Sequence, residues 1–549
     1  MSIKRFLRIL LWLVPLAAVA AWLVAEGAIS EQAELQRAFT SLVFGETERA
    51  HAEFERFQDS LWYGREARFG LALCAAIDGE EDEFDAGDIP ESMPVSLSLL
   101  MARELRSGDF AACRRLAGMA EVAGEKTAPL YLAASSLELG DREAATASWA
   151  LVSKAMRATL TGRRYAQAAG LLERGAVSIV RDRRGELVGQ LDGSGAFLFA
   201  EGVEPDLVPA TIIDELTEWE TPAGVRLGID LQLSELALDA IEGYRGSIVL
   251  LDPRRGEVLA AVSDERTKRR GGTPALEQRL EPASILKVIT TVAAMRAGLD
   301  PDAEIAEMTC NGAIRYRGGI LYCPYTAGPL RSLNRAMAIS CNIAFAELGV
   351  KVGWEGMLAE LRNWGFDSEA GNPFPLGSII TESGSELQLA NLSIGLNTAE
   401  ITTAHAALIA ATFANGGVMP APEVLHGGDG FLGLSPHLKK IETGRKLVEE
   451  AWLPPIVESM RAVALWGGTA AWIAPPRFPV AMKTGTGGGS RQGFHINYIG
   501  FGPMPRADIV FSVRVTNQLT SPRARKAGFE VTRRLLYALS AVAMEYGWR

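Results

Sequence analysis

Three short motifs in this chain carry residue types that together could catalyse acyl transfer through a serine. They are, in chain order, Ser284-Ile285-Leu286-Lys287, Ser340-Cys341-Asn342 and Lys483-Thr484-Gly485-Thr486. In the first motif a helix would place the hydroxyl and the amine on one face, where the amine can take the hydroxyl proton. The second motif adds a hydroxyl and an amide, and the third adds a cation and two small donors on a predicted strand edge. The lysine amine would replace the histidine base of other serine enzymes.

Each motif alone is a weak signal, because a chain of 549 residues should hold on the order of one Ser-x-x-Lys by chance. Here Ser284 and Lys287 form the only such pair. A second Ser-x-Asn begins at Ser332. We favour Ser340, because small apolar residues flank it on both sides and predict a buried helix there, whereas Ser332 lies in a polar stretch typical of a helix start. The order and spacing of the three motifs therefore favour a functional site.

Length and charge limit the class of protein. A chain of 549 residues exceeds a single hydrophobic core, so we expect two or three domains. The net charge is −11, from 55 Lys and Arg residues and 66 Asp and Glu residues. This acidic balance argues against nucleic-acid binding as the main task.

The N-terminal residues predict attachment to a membrane. Three basic residues within Met1–Arg8 precede an uncharged apolar run from Ile9 to Ala25. This pattern favours a single-pass segment in the inner or cytoplasmic membrane, with the rest of the chain periplasmic or extracytoplasmic. At about 17 residues the run is short for a span, so the alternative is a cleaved signal peptide with Ala18-Val19-Ala20 as its cleavage pattern. We expect a retained anchor over residues 1–28.

Residues 29–155 are predicted to form an all-α helical-repeat domain. Gly79, Gly108 and Gly140 recur at intervals of 29 and 32 residues, close to the period of stacked helical hairpins. The segment beginning Gly140-Asp141 resembles the turn of a tetratricopeptide repeat, and the alternative is an irregular helical spacer. Residues 156–226 predict a small β-containing connector, because they hold a strand, a turn and a returning strand.

Residues 227–549 predict an α/β catalytic domain. Five strands are expected at 246–251, 257–262, 480–486, 494–501 and 509–515, with a last helix at about 525–546. They indicate a five-stranded antiparallel sheet with helices on both faces and a helical subdomain inserted between the second and third strands. The insertion carries Ser284 and Ser340, so the site is expected in a cleft between the sheet edge and the inserted helices.

The five cysteines allow one disulfide prediction. Cys310 and Cys323 bracket a glycine-containing segment that reads as a hairpin, and they are candidates for a disulfide in an oxidising compartment. The alternative is two unpaired thiols, since spacing does not prove pairing. Cys74, Cys113 and Cys341 are predicted to be buried small apolar residues.

The stretch from Leu227 to the C-terminus resembles the transpeptidase domain of penicillin-binding proteins, most of all the monofunctional class B type. Besides the three motifs, the resemblance rests on Gly256–Ala260, Glu281–Ser284, Ser393–Gly395, Ala414–Gly417, Gly467–Ala470 and Gly500–Pro503. Ala283 stands where glycine commonly precedes the nucleophile of this family, and Asn497-Tyr498 replaces the usual aromatic pair.

The resemblance implies peptidoglycan D,D-transpeptidation that β-lactams inhibit. Ser284 would attack the penultimate D-alanyl carbonyl of a stem peptide, and Lys287 would be the base for that attack. Ser340 would pass the proton to the leaving amine. Asn342 would hold Lys287 and the substrate amide.

The third motif would bind the substrate along the strand edge. Lys483 would supply positive potential, Thr484 and Thr486 would bind the terminal carboxylate, and Gly485 would leave room for the substrate. The backbone N–H groups of Ser284 and Thr486 would form the oxyanion hole. No cofactor and no metal ion is expected.

Several alternatives remain open at this point. A D,D-carboxypeptidase would use water as the acceptor, and a β-lactamase-like hydrolase would need a deacylating base. His495 is expected to be an ordinary strand residue, and Glu347 in the insertion could reach the cleft. A scaffold or β-lactam sensor with low turnover is a further alternative, disfavoured because Ser284, Lys287 and Lys483 are all present. Expected partners are stem peptides, β-lactams, the cell membrane and a glycosyltransferase or other cell-wall partner bound through the helical repeats.

Overall fold

The computed structural model describes residues 30–79, 89–90, 95–218, 223–264, 273–368, 373–432, 444–489 and 493–548. The predicted membrane segment at 9–25 lies outside the described residues. Within them, no helix has both the length and the apolar character needed to cross a bilayer.

The described helices are numbered in chain order. They are α1 (30–43), α2 (Thr47–Glu55), α3 (Gly64–Asp78), α4 (Leu97–Ser107), α5 (Phe110–Val122), α6 (Ala128–Glu138), α7 (Arg142–Leu151), α8 (Lys154–Arg157), α9 (Leu160–Glu173), α10 (Ala210–Glu218), α11 (Leu231–Ile241), α12 (Pro274–Glu277), α13 (Lys287–Arg296), α14 (Pro301–Ala306), α15 (Leu333–Ala338), α16 (Asn342–Asn363), α17 (Glu386–Ser393), α18 (Thr403–Ala414), α19 (Leu453–Ala464) and α20 (Ser521–Val542).

The strands follow the same numbering rule. They are β1 (Ala176–Arg181), β2 (Leu187–Asp192), β3 (Phe197–Phe199), β4 (Gly224–Leu227), β5 (Gly246–Leu251), β6 (Val258–Ser263), β7 (Thr309–Cys310), β8 (Ala313–Tyr316), β9 (Gly319–Tyr322), β10 (Gly328–Pro329), β11 (Ser378–Ile379), β12 (Ala399–Glu400), β13 (Val418–Met419), β14 (Leu425–Asp429), β15 (Arg445–Lys446), β16 (Ala481–Gly489), β17 (Gly493–Gly502) and β18 (Ile509–Gln518).

The chain divides into two compact units. The first contains the described residues within Met1–Ile179, Pro222–Gly224 and Asp429–Leu438, and the second contains the described residues of the remaining chain. The expected borders at residues 28, 155 and 226 stay predictions.

The first unit is helical, as the sequence predicts. Each of the helix pairs α2–α3, α4–α5, α5–α6 and α6–α7 is in contact. Gly108 and Gly140 end their helices with φ of +83° and +80°, a left-handed conformation that glycine adopts without strain. Asp109 and Asp141 directly follow these glycines. Each caps the next helix, because its side chain accepts a hydrogen bond from the backbone N–H of the third residue of that helix. The same Gly-Asp turn therefore links two consecutive helix pairs.

The main sheet of the second unit has the strand order β16-β17-β18-β5-β6, and every neighbouring pair is antiparallel. The predicted five-stranded sheet is confirmed. The chain between β6 and β16 forms the helical insertion, so β16 is an edge strand beside it. This edge carries the Lys-Thr-Gly-Thr motif.

Successive side chains of each strand point to opposite faces of the sheet, and a layer of helices packs on each face. The α20 helix packs on one face, where a Cβ added at Gly528 would lie 2.4 Å from Ile496. On the other face α18 is buried from Thr403 to Phe413, and the Thr403 and Ser247 hydroxyls lie 2.7 Å apart. Helices thus cover both faces, as expected for this fold class.

A buried arginine joins the sheet to the chain ahead of the first motif. Arg514 on β18 donates to Asn497 Oδ1 (2.8 Å), to Gln278 O (2.9 Å) and to Ile401 O (2.9 Å). Buried polar groups that are fully paired fix one arrangement of the backbone. The arginine therefore helps to set the position of the segment that leads to Ser284.

Candidate active site

Ser284 lies in a 3₁₀ turn, Ala283–Leu286, that continues directly into α13. The residue before it, Ala283, has φ of +50° and donates its N–H to Gly395 O at 2.9 Å. A Cβ at Gly395 would lie only 2.2 Å from Ala283 O, so glycine is required for this close approach. The turn presents Ser284 at the wall of a cavity of about 570 Å³.

Lys287 lies one turn after the serine and is fully buried. Its Nζ donates to Ser340 O at 2.7 Å, to Asn342 Oδ1 at 2.8 Å and to Ser340 Oγ at 3.2 Å. Burial penalises the charged form and lowers the pKa of Lys287 to about 8. In the described part of the chain, no hydrogen bond joins Ser284 Oγ to this amine. The first two motifs are nevertheless in contact through Lys287.

Ser340 lies between α15 and α16 with φ of +54°, a left-handed conformation rare for serine. This conformation points its hydroxyl toward both buried lysines. Ser332, the alternative start of the second motif, caps α15 by accepting from Arg335 N. The preference for Ser340 over Ser332 therefore agrees with the geometry.

Lys483 on β16 is fully buried and donates to Ser340 Oγ at 2.9 Å and to Thr484 O at 2.7 Å. Burial, and after it the charge of Lys287, hold the pKa of Lys483 well below its usual value. Two amines thus donate hydrogen bonds to one hydroxyl. A positive charge on either amine makes protonation of the other less favourable. All three motifs meet at Ser340 Oγ.

The rest of the third motif lines the cavity at the sheet edge. Thr484 and Thr486 contribute to the same cavity wall as Ser284. Gly485 faces the serine turn, where a Cβ would lie 2.9 Å from Pro282 O and 3.1 Å from Ser284 N. The absence of a side chain allows the strand to approach the turn closely.

Thr469, Arg525 and Lys526 are among the cavity residues that were not predicted from the sequence. Thr469 places its hydroxyl 2.9 Å from that of Thr484. Arg525 and Lys526 near the start of α20 add two cations to the wall, and none of the described residues lining the cavity is acidic. The Gly467–Ala470 segment of the family resemblance contains Thr469, but no local pattern in α20 indicates that its basic residues face the site.

Glu281, three residues before Ser284, is a further residue that the sequence did not single out as functional. Its carboxylate accepts from Asn397 N and from Gly488 N, each at 2.9 Å. Its carbonyl oxygen lies 2.9 Å from His495 Nε2. The residue therefore fixes the serine turn to the β16–β17 hairpin and to the segment after α17.

His495 lies on β17 and is buried, in agreement with the expectation of a strand residue. Burial lowers the pKa of His495 to about 4, so its imidazole is neutral near pH 7. It lines a separate cavity of about 460 Å³. Glu347 accepts from Tyr316 Oη at 2.5 Å. Neither side chain lines the Ser284 cavity.

The cysteines are all free thiols in the structure. Cys74, Cys113 and Cys341 are buried, as predicted. Cys310 and Cys323 lie close to each other and also to Cys341, in one group of three. The pairing of Cys310 with Cys323 stays a prediction, but the grouping with Cys341 was not expected.

Ser-x-x-Lys, Ser-x-Asn and Lys-Thr-Gly motifs that meet beside the edge of an antiparallel sheet are typical of penicillin-binding proteins and class A β-lactamases. The family model of the penicillin-binding protein transpeptidase domain matches residues 246–540, which is more than half of the chain. The chain therefore belongs to this family.

Curated relatives agree with this assignment. Over 313 aligned positions, this chain is 28% identical to the peptidoglycan D,D-transpeptidase PbpA of Mycobacterium tuberculosis. The alignment covers 50% of this chain and 62% of that protein. The PbpA of Mycolicibacterium smegmatis is 28% identical over 332 positions, covering 52% of this chain and 65% of that protein. The chain thus spans less than two thirds of the length of these relatives.

Solved structures share the fold at low sequence identity. The D,D-transpeptidase domain of a peptidoglycan glycosyltransferase from Eggerthella lenta superposes with a TM-score of 0.57 at 18% identity, covering 68% of this chain and 99% of that one. The ceftriaxone acyl-enzyme complex of penicillin-binding protein A from M. tuberculosis superposes with a TM-score of 0.55 at 22% identity. The match covers 66% of this chain and 98% of that one. These similarities show the fold of about two thirds of the chain.

Proposed function

We propose that this chain is a peptidoglycan D,D-transpeptidase that works through an acyl-enzyme on Ser284 and is inhibited by β-lactams. The observation that carries the proposal is the convergence of Lys287 and Lys483 on the Ser340 hydroxyl, at 3.2 Å and 2.9 Å, beside a cavity that Ser284 lines. This arrangement provides a proton acceptor, a proton relay and positive charge at one place. Its relatives named D,D-transpeptidases support the same activity.

Acylation begins when Ser284 Oγ attacks the penultimate D-alanyl carbonyl carbon of a donor stem peptide. The hydroxyl proton passes to neutral Lys287, and the carbonyl oxygen becomes an oxyanion held by the N–H groups of Ser284 and Thr486. The hydrogen bond from Ser284 to the amine forms as the substrate binds, since catalytic hydrogen bonds are often long without substrate.

The tetrahedral intermediate collapses by breaking its C–N bond. Ser340 gives its proton to the leaving amine and recovers one from Lys287, so that D-alanine leaves and Lys287 is neutral again. The Asn342 amide donates to Tyr322 O at 2.9 Å while its oxygen accepts from Lys287, which holds the base in place. The acceptor amine of a second stem peptide then attacks the ester carbonyl carbon, and the amine proton passes through Lys287 to Ser284 Oγ as the C–Oγ bond breaks, which forms the cross-link and restores the serine.

The charge of the cavity supports recognition of an anionic donor. The terminal carboxylate of the stem peptide, or the carboxylate of a β-lactam, would bind Thr484 and Thr486 in the field of Lys483. Arg525 and Lys526 add to this field from α20. Positive potential in a cavity raises the local concentration of an anionic substrate.

A persistent acyl-enzyme is expected, because no acid or histidine among the described residues lines this cavity. The carboxylate of Glu281 is engaged with two backbone N–H groups, and that of Glu347 with Tyr316. Activation of water by such a base is what a β-lactamase requires. The absence of this base favours an amine acceptor over water.

Attachment and assembly belong to the same proposal. The basic N-terminal residues and the apolar run at 9–25 would anchor the chain in the membrane by a single span, with both units on the extracytoplasmic side. The helical unit would bind a glycosyltransferase or another cell-wall partner, as stacked helical hairpins offer extended binding surfaces.

The proposal is tested with the full-length chain in detergent, a peptide donor ending in D-alanyl-D-alanine and an excess of D-amino acid acceptor. We expect release of D-alanine and formation of the exchange product, and a penicillin adduct that persists for many minutes. The Lys483→Ala variant should acylate about 10²-fold more slowly, because it lacks the cation that attracts the carboxylate. Lys351→Ala, at a surface ion pair with Glu304, is the matched control.

Three results would count against the proposal. Rapid turnover of penicillin would indicate a β-lactamase, and release of D-alanine without an exchange product would indicate a carboxypeptidase. Unchanged acylation in the Lys483 variant would show that the third motif has been assigned a wrong role.

A further inference from the structure

Three cysteines from separate segments meet directly behind the second motif. Cys310 ends β7, Cys323 follows β9, and Cys341 lies between Ser340 and Asn342. Their Sγ atoms all lie within 4.8 Å of one another, and those of Cys323 and Cys341 are 3.9 Å apart. Cys310 and Cys341 are fully buried, and Cys323 is half-buried.

The spacing of the sulfur atoms decides between two uses of such a group. A disulfide needs an S–S distance of about 2.05 Å. A tetrahedral zinc ion at about 2.3 Å from each thiolate places its sulfur ligands roughly 3.8 Å apart. The distance of 3.9 Å between Cys323 and Cys341 therefore matches one edge of a tetrahedral site.

Polar groups lie next to the three thiols and would contact the thiolates of a metal-bound site. Asn342 N donates to Cys323 Sγ at 3.4 Å, and the Cys323 thiol donates to Cys341 Sγ at 3.9 Å. Thiolate, not thiol, is the metal ligand. The buried Lys287 amine lies close enough to interact with the charge of all three cysteines.

We propose that Cys310, Cys323 and Cys341 bind one thiophilic metal ion, of which zinc is the divalent example, with water as the fourth ligand. A ligand set made only of sulfur selects soft or borderline ions such as Zn²⁺ or Cu⁺ over Mg²⁺ or Ca²⁺. Binding of Zn²⁺ releases the three thiol protons to solvent and leaves the site with one net negative charge. The half-buried Cys323 gives the ion its access from solvent.

This site would act on the second motif from behind and would not touch the substrate. Cys341 is covalently joined to Ser340 and Asn342, the two residues that hold Lys287. An ion bound to it would fasten this turn, which is left-handed at Ser340, to the chain on either side of the β8–β9 hairpin. The positioning role rests on the proposed function, whereas the metal site does not.

The site departs from two expectations drawn from the sequence. No metal ion was expected, and Cys323 was a candidate for a disulfide with Cys310. A bound ion would keep all three thiols reduced in an oxidising compartment, where unprotected neighbouring thiols oxidise.

The test measures metal in the full-length chain purified without chelators or metal columns. We expect one equivalent of zinc by elemental mass spectrometry, and after exchange with Co²⁺ an absorption band from thiolate-to-metal charge transfer. Cys310→Ala, Cys323→Ala and Cys341→Ala should each weaken binding by 10-fold or more. Cys74→Ala and Cys113→Ala, at buried cysteines of the helical unit, should leave the stoichiometry and the spectrum unchanged.

Two results would overturn the metal site. One is metal-free protein in which all five thiols are free and Co²⁺ gives no charge-transfer band. Weak metal binding that none of the three variants alters would count in the same way. The other is a disulfide between any two of the three cysteines in protein purified under non-reducing conditions, detected by peptide mass spectrometry.

Penicillin labelling separates this inference from the proposed function. If the wild-type chain binds zinc but is never acylated, the metal site stands and the transpeptidase proposal fails. If removal of zinc slows acylation and re-addition restores it in the wild type but not in the Cys341 variant, the positioning role is supported. Equal acylation rates with and without bound zinc would refute that role.

Discussion

The proposed chemistry centres on one hydroxyl that accepts hydrogen bonds from two buried amines. Ser340 Oγ lies 3.2 Å from Lys287 Nζ and 2.9 Å from Lys483 Nζ. Two ammonium groups this close repel each other, and burial adds to the cost of charging either one. The pair therefore gives up a proton at lower pH than ordinary lysines, which makes one neutral amine available as a base.

The depressed pKa of Lys287 predicts how acylation depends on pH. With a pKa of about 8, well below the usual 10.5, the amine is protonated at lower pH and cannot accept the Ser284 proton. The second-order rate of acylation by benzylpenicillin should rise about 10-fold per pH unit up to about pH 8 and then level off. Stopped-flow measurement over this range checks the profile, and a flat profile down to about pH 6 would exclude Lys287 as the titrating base.

The sequence predicts which residues belong to the candidate site, but it does not predict the contacts that surround them. The three motifs, and the choice of Ser340 over Ser332, followed from spacing and flanking residues. The contacts of Glu281 and of Thr469 depend on segments far apart in the chain, as do those of the three clustered cysteines. No periodicity or local motif encodes such long-range contacts, so only the folded structure brings these residues together.

At the scale of elements, the site depends on how closely β16 approaches the serine turn. The strand is at the sheet edge, and Gly485 lets its backbone lie against Pro282 and Ser284. A side chain at this position would separate the third motif from the first. The antiparallel pairing of β16 with β17 fixes which residues of the motif face the turn.

The Gly485→Ala variant should therefore lose acylation with little loss of stability. Its Cβ would lie 2.9 Å from Pro282 O, closer than ordinary contact, so the strand edge must shift. A shift of a fraction of an ångström to 1 Å at a catalytic site costs up to about 10²-fold in rate. Gly489→Ala on the same strand, where a Cβ meets no described atom within 4 Å, is the control.

The two glycine variants are compared by penicillin labelling rate and by melting temperature. If Gly485→Ala labels as fast as the wild type, close approach of β16 to the turn is not needed for catalysis. If both variants lose labelling equally, the effect is a general one on the hairpin.

The sheet was predictable because its strands carry strong local patterns. The expected strand at 246–251 matches β5 residue for residue, and the expected strand at 494–501 lies within β17. The inserted subdomain was predicted as helical apart from a hairpin between Cys310 and Cys323, which β8 and β9 form, and other short pairs such as β7 with β10 were not expected. Strands of two residues have too few side chains to show an alternating pattern, so their pairing depends on tertiary contacts.

At the scale of the whole molecule, the two compact units follow one apolar N-terminal segment. The helical unit has Gly-Asp turns that repeat the connection between helix pairs, and the second unit carries all three motifs. The proposed single span would place both units on the extracytoplasmic side.

A reporter enzyme fused after residue 150 tests this topology in cells. Because three basic residues precede the apolar run, we expect a periplasmic or extracytoplasmic reporter to be active and a cytoplasmic one to be silent. Activity only of the cytoplasmic reporter would contradict the predicted orientation.

In the proposed reaction, Ser284 is the nucleophile that becomes acylated. The most direct measurement is labelling of the full-length chain with penicillin, followed by mass spectrometry of the modified peptide. We expect one adduct, on Ser284, and complete loss of labelling in Ser284→Ala with an unchanged melting temperature. Stoichiometric labelling of the Ser284→Ala variant, or an adduct on any other residue of the wild type, would contradict this assignment.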